Sequence, residues 1–134
     1  MSITSDLIRG HTETIIMAQL FYKESYGYEI NKAIQEISDG QYELKEATLY
    51  GAFRRLEENG YITSYWGNEE TGARRRYYRI TLDGKEFFHR CCEEWQKAKE
   101  LIDKLIYIDD CGLLDEKPGQ KLSDGKRKEK EENE

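Results

Sequence analysis

The chain has 134 residues, with 21 Lys and Arg against 27 Asp and Glu, so its formal net charge is −6. That length suits one small domain, no run of about 18 apolar residues spans a membrane, and the N-terminus lacks the basic-then-apolar pattern of a secretory signal. Taken whole, the acidic balance argues against a nucleic-acid binder, which is expected to be basic, while the odd cysteine set Cys91, Cys92 and Cys111 fits reduced thiols in a cytoplasmic protein.

Residues 5–22 read as a first helix. Thr4 or Ser5 can cap it, Asp6 suits the positive end of its dipole, and Leu7, Ile8, Ile15, Ile16, Ala18, Leu20 and Phe21 make a wide apolar face. Gly10 costs such a helix about 1 kcal/mol against Ala unless a close neighbour needs the room. A second helix is expected over 28–38, where Ile30, Ala33, Ile34 and Ile37 recur at helical spacing before Asp39-Gly40 stops it. A third runs over 46–59, with Leu49, Ala52, Phe53 and Leu56 on one side and Gly60 just beyond its end.

The period then changes. Residues 61–66 and 75–81 are β-branched and aromatic, separated by the Gly-bounded segment 67–73, which predicts a β-hairpin with a longer loop. A long fourth helix follows over about 83–108. Its Phe88, Cys91, Trp95, Ala98, Ile102 and Leu105 alternate by three and four residues, an apolar seam too long for one small domain to cover. A second copy of the chain is the expected partner. Beyond Leu114 the charged segment 115–134 lacks an apolar set to bury and is expected to be disordered.

Charge is distributed unevenly along these elements. Lys and Arg minus Asp and Glu gives −4 for residues 1–44, +2 for 45–85, −3 for 86–114 and −1 for 115–134. The positive middle holds Arg54, Arg55, Arg74, Arg75, Arg76 and Arg79, which would steer a polyanion to one side. Arginines on a surface are ordinarily just solvated, so their place in the fold decides their meaning. Three short helices followed by a hairpin form a winged helix-turn-helix, whose third helix fits the roughly 12 Å major groove of DNA and whose hairpin reaches the backbone. Lys45, Thr48, Tyr50, Gly51 and Arg54 then occupy the outer face of that helix, and Gly72, Arg74, Arg75 and Arg76 the wing.

These residues carry a resemblance. Ala47-Thr48-Leu49-Tyr50, the run Arg55 to Ile62, the run Gly72 to Thr81 with Gly84, and Tyr26-Gly27-Tyr28-Glu29-Ile30 together resemble PadR-family transcriptional regulators. Glu43-Leu44 to Tyr50, Ser64-Tyr65-Trp66-Gly67 and Glu94-Trp95 are similar to one branch, that of the lactococcal multidrug-resistance regulator, which has a single C-terminal helix. The resemblance implies a mainly α fold with a small β-hairpin (α+β). A winged DNA-binding domain over 1–81 would precede a dimerisation helix over 82–114 and the tail over 115–134. It implies a homodimeric repressor on a pseudo-palindromic double-stranded operator, with Tyr28 joining the DNA-binding residues. It also implies a central pore for a hydrophobic or planar aromatic effector, lined by Leu7, Thr14, Phe88, Cys91, Cys92, Trp95 and Lys99. Phe88, Trp95, Ala98, Ile102 and Leu105 would form the dimer interface. Lys99 stands where that branch would carry an acidic residue, leaving Glu13 as another source of negative charge.

Two further readings compete. A winged-helix protein-interaction module without sequence-specific DNA binding would suit the acidic total and the charged tail. An enzyme is disfavoured, because His11 and His89 are the only histidines and no nucleophile–base set accompanies them. Cys91-Cys92 with His89 could be drawn as metal ligands, but adjacent helical cysteines point about 100° apart. No catalytic residue, metal or cofactor is therefore expected.

Overall fold

Apolar residues at helical spacing organise the N-terminal half, and alternating aromatic residues then build a small sheet. The computed structural model describes residues 3–68 and 74–108; Gly72, Cys111 and the expected tail over 115–134 lie outside the described residues. In chain order the elements are α1 (Ile3–Arg9), α2 (Thr12–Leu20), β1 (Ser25–Tyr26), α3 (Gly27–Ile37), α4 (Glu46–Glu58), β2 (Ile62–Trp66), β3 (Arg76–Ile80) and α5 (Leu82–Ile106). The strands form one antiparallel sheet in the order β1-β3-β2. The chain divides into two units, with the boundary between Glu93 and Glu94, inside α5.

The core lies in the first unit. Ile16, Met17 and Leu20 of α2 meet Ile30 and Ile34 of α3, and Leu49, Ala52, Phe53 and Leu56 of α4, with Leu44, Ile62 and Tyr78 closing the remaining sides. Two expectations are corrected there. The helix expected over 5–22 is broken at Gly10-His11, where no neighbour needs the space a Cβ would take. Instead the Thr12 hydroxyl donates to the Arg9 carbonyl at 2.9 Å, satisfying a group that the broken helix leaves open. The break changes the phase, so Met17 is fully buried while Ala18 and Leu7 are exposed. Ile37, expected on the apolar face of α3, is 71% exposed because it is the helix's last residue, beyond the reach of the core. The chain then turns through Asp39 and Gly40, both left-handed at φ 55° and 78°.

Sequence periodicity also missed β1, whose two residues are too few to show alternation. Ser25 pairs with Tyr78 and Tyr26 with Tyr77 across β3. The Ser25 hydroxyl donates to Glu29 Oε1 at 2.5 Å, and Lys23 Nζ lies 3.4 Å from Glu29 Oε2. That hydrogen bond is the main reason the Glu29 carboxyl is held below its ordinary range; desolvation opposes it, and Lys23 and Arg75 assist.

The segment between α3 and α4 is held by one side chain. Asn31 Nδ2 donates to the Leu44 carbonyl at 2.7 Å, and its Oδ1 accepts from the Leu44 amide at 2.9 Å. This pairing fixes the backbone just before α4 and keeps Leu44 in the core. At its far end α4 closes as expected through Gly60, at φ 80°, with the Tyr61 amide bonded to the Leu56 carbonyl at 2.9 Å. Thr81 then joins three elements. Its hydroxyl donates to the Gly60 carbonyl at 2.8 Å and accepts from the Gly84 amide at 2.9 Å, capping α5 one residue earlier than the sequence suggested. Gly84 is required there, since a Cβ would overlap the Tyr61 carbonyl oxygen. Phe87 stacks on Tyr61 at 4.2 Å, completing the attachment.

Two outcomes follow from these contacts. Asn31→Ala removes both bonds to Leu44 and is expected to destabilise the fold by about 1–3 kcal/mol, read as a lower urea midpoint at unchanged slope. Because folding lowers the Glu29 pKa, its stabilisation is present above the unfolded value of 4.5 and lost as pH falls through the folded one. Ser25→Ala should therefore lower the melting temperature at neutral pH, and the gap from the parent chain should close in acid; a gap independent of pH would contradict this origin.

Candidate nucleic-acid interface

With Leu49, Ala52, Phe53 and Leu56 turned inward, the helical period fixes what α4 presents outward. Ala47, Thr48, Tyr50, Arg54 and Glu58 are exposed, Lys45 is exposed immediately before the helix, and Gly51 is half-buried. A Cβ on Gly51 would meet only Arg55 Nη1, at 3.5 Å, so the centre of this face is shallow and unobstructed. Tyr50 leans against Gly27, where a Cβ would overlap its phenol, and meets Phe53 edge-on at 5.4 Å. The glycine thus sets the position of the tyrosine.

Strand β3 divides its residues between two faces. Arg76, Tyr78 and Ile80 turn toward the core side, where Tyr78 stacks on Phe53 of α4 at 3.8 Å with the rings 17° apart. On the other face Tyr26, Tyr77 and Tyr65 stand in a row across the three strands, with centroids 5.3 and 5.5 Å apart. Arg75 lies over Tyr26 at 4.7 Å, and Arg79 over Tyr65 at 5.1 Å. The Tyr65 hydroxyl donates to Glu24, which raises the Tyr65 pKa.

The arginines that look alike in sequence are sorted by their neighbours. Arg55 Nε lies 2.7 Å from Glu13 of α2, and Arg79 Nε 3.5 Å from Glu24. Arg76 donates twice to Ser64 Oγ, at 3.1 and 2.8 Å, and its Nη2 lies 3.7 Å from Glu57 of α4. Ser64 in turn donates to Glu57 at 2.7 Å. By contrast, Arg54 has no ion-pair partner among the described residues, and Arg74 bonds the Gly67 carbonyl at 3.3 Å. Arg74 and Arg76 both lie over the Trp66 ring, at 5.6 and 5.5 Å. Glu13 is therefore engaged with Arg55 rather than open to a cationic ligand.

Between α3, α4 and the wing lies a cleft of about 490 Å³, lined by Tyr26, Gly27, Tyr28, Tyr50, Trp66, Arg74, Arg75, Arg76 and Tyr78. The fold thus brings Tyr28, Tyr50, Arg74, Arg75 and Arg76 together, while Lys45, Thr48, Gly51 and Arg54 belong to the adjoining face of α4. Gly72 lies outside the described residues. Sequence reasoning passed over Trp66 and Tyr78 as lining residues. Alternation along β3 was the available signal, since it puts Tyr78 on the same face as Arg76.

The residues expected to bind an effector do not share one environment. Thr14 and Cys91 line a groove of about 270 Å³ with Arg9, Arg55 and Phe87. Phe88 packs on Phe21 at 5.3 Å, and so anchors α5 to its own unit. Leu7, Cys92, Trp95 and Lys99 are exposed. Partial desolvation by its neighbours, followed by the adjacent Cys91, pushes the thiol of the otherwise exposed Cys92 upward. In the second unit Trp95, Ala98, Ile102 and Leu105 are exposed, as are Leu101 and Ile106.

Residues 16–90, spanning most of α2 to the first part of α5, match the model of the transcriptional regulator PadR-like family. A transcriptional regulator from Clostridium thermocellum is 50% identical, with a TM-score of 0.72 over 78% of this chain and 99% of that one. A PadR family transcription regulator from hypervirulent Clostridium difficile is 37% identical, with a TM-score of 0.62 over 72% of this chain and 99% of that one. An uncharacterized protein of Lysinibacillus sphaericus is 43% identical over 101 residues, 75% of this chain and 93% of that one. The chain therefore belongs to the PadR-like family of transcriptional regulators, and its winged unit is that of a DNA-binding regulator rather than an enzyme.

Proposed function

We propose that the chain is a homodimeric repressor whose two winged units read the halves of a pseudo-palindromic operator. The observation that carries this reading is the continuity of the outer face of α4 with the arginine-lined cleft. Thr48, Tyr50, Gly51 and Arg54 enter the major groove, Lys45 and Tyr28 meet the backbone, and the wing, with Gly72, Arg74, Arg75 and Arg76, follows the phosphates. Residues 1–81 supply this function and residues 82–114 the dimerisation helix. No helix among the described residues is long and apolar enough to cross a membrane, and the role places the protein in the cytoplasm.

Support for the dimer comes from the apolar row left open on α5: Trp95 is 46% exposed, Ile102 49% and Leu105 67%. Exposed rows of this length mark an interface. A hydrophobic or planar aromatic effector held among Trp95, Phe88, Cys91, Cys92, Lys99, Leu7 and Thr14 would release the operator by favouring another spacing of the wings. DNA would weaken effector binding by the same factor.

Band shifts and anisotropy with duplexes from the upstream region of its own gene test DNA recognition. Arg54→Ala should weaken binding and lower the slope of log affinity against log salt by about one. Arg55→Ala, whose charge is already shared with Glu13, should lower it less. Equal slopes for Arg54→Ala and the parent would remove α4 from the duplex and favour the interaction module. For the dimer, Ile102→Glu with Leu105→Glu should yield monomers by sedimentation at concentrations where the parent sediments as a dimer, with weaker operator binding; an unchanged sedimentation coefficient would refute the seam.

A further inference from the structure

The far end of α4 carries a reactive pair of residues that the closure of the helix restrains. Of the asparagines in the chain, only Asn59 precedes a glycine. In such a pair the glycine amide nitrogen can attack the asparagine side-chain carbonyl carbon, because no Cβ on the second residue obstructs it. Asn59 and Gly60 are both exposed, and a Cβ on Gly60 would meet nothing within 4 Å, so neither crowding nor exclusion of water prevents the attack. Hydrogen bonding does. The Gly60 amide donates to the Glu57 carbonyl at 3.0 Å, and the amides on either side, of Asn59 and Tyr61, donate to the Arg55 and Leu56 carbonyls at 3.1 and 2.9 Å. The Gly60 carbonyl accepts from Thr81 Oγ1 at 2.8 Å, and Asn59 itself keeps a near-helical backbone at φ −87°, ψ 0°.

We propose that Asn59-Gly60 is a self-modification site gated by folding: closed while the end of α4 is intact, and open to succinimide formation once that end frays. The reaction needs only water. The Gly60 nitrogen bonds to Asn59 Cγ, and the side-chain nitrogen leaves as ammonia, taking the Gly60 amide proton. Water then opens the ring at one carbonyl or the other, giving isoaspartate or aspartate. The folded terminus opposes the first bond twice. The proton that must leave is shared with Glu57, and the five-membered ring demands a backbone turn at Asn59 that its helical conformation does not have. Asp39-Gly40 and Asp83-Gly84 have the same spacing, but their electrophile is a carboxylate, and their glycine amides are likewise bonded, to the Gln35 carbonyl and to Thr81 Oγ1. Isoaspartate at 59 would add a methylene to the backbone, pulling Gly60 and Tyr61 out of register with Glu57 and Leu56. Thr81, which bonds Gly60 and caps α5, would lose one of its two partners. Aspartate would place a negative charge at the negative end of the α4 dipole. Each product therefore weakens the closure that prevented it.

The full chain is incubated in mildly alkaline buffer with and without unfolding urea, and conversion at residue 59 is followed by peptide mass spectrometry and enzymatic methylation of isoaspartate. Conversion in urea is expected to be at least about tenfold faster than in buffer, since only opened molecules react. Thr81→Val, which removes the bond to Gly60, should convert several-fold faster than the parent in buffer, and Thr81→Ser at the parent's rate. Asn59→Gln, whose ring would be six-membered, should convert in neither condition. The purified isoaspartate product should unfold at a lower urea midpoint than the parent. Should Thr81→Val fail to fold, hydrogen exchange at the Gly60 amide of the parent decides, because protection there must accompany slow conversion. Equal rates with and without urea would overturn the gate, and no conversion in urea would overturn the site. A Gly60 amide that exchanges freely in a slowly converting chain would assign the protection to something other than the end of α4, and overturn the proposal as well.

Discussion

The stack of Phe53 on Tyr78 joins the outward-facing helix α4 to β3, the middle strand of the sheet and the strand that leads out of the wing. Both rings are almost completely buried, and an aromatic pair contributes about 0.5–1.5 kcal/mol beyond the area it removes from water. The ion pair that spans the same gap, Arg76 with Glu57 at 3.7 Å, has side chains 43% and 35% exposed. Pairs so open to solvent contribute about 0–1 kcal/mol. The stack therefore sets the spacing of α4 and β3, and the polar network of Arg76, Ser64 and Glu57 orients side chains on a frame already fixed.

This division of labour changes the meaning of the net charge of −6. Acidic residues do not merely dilute the basic middle of the chain; they take up particular arginines. Glu13 engages Arg55 and Glu24 engages Arg79, at two edges of the basic surface. Arg54 is thereby left as an arginine of α4 without an ion-pair partner among the described residues. An acidic body around so confined a patch disfavours loose adhesion to any polyanion, because counterion release scales with the number of phosphates neutralised together. Such a protein depends on several contacts being made in register.

Long elements with a sustained period were legible in the sequence. The spacing of Leu49, Ala52, Phe53 and Leu56 located α4, Gly60 its end, and the aromatic alternation after it the hairpin. What escaped was built from one or two residues. Ser25-Tyr26 is too short to alternate, yet it makes the third strand; Asn31 fixes α4 through a backbone 13 positions away; and Thr81 joins elements by two bonds of one hydroxyl. Local patterns cannot show such partners, because each depends on where a distant backbone group arrives. The candidate site divides in the same way. Arginine clustering and the place of α4 located it, whereas Tyr78, an apparent core residue, and the carboxylates that engage individual arginines required the tertiary arrangement.

The last helix shows how a 25-residue element can serve two ends. Its first turns are secured by the Thr81 cap, the close approach at Gly84, the stack of Phe87 on Tyr61 and the packing of Phe88 on Phe21. In the second unit the described helix keeps an open row of Trp95, Ile102 and Leu105, and Gln96 donates to Glu100 at 2.9 Å on its surface. A surface contact of that kind adds only a few tenths of a kcal/mol, and helices draw most of their stability from burying an apolar face. The distal half of α5 is therefore the part whose stability depends on being covered. Covering it with the same row of a second copy would make helix formation and association one linked equilibrium.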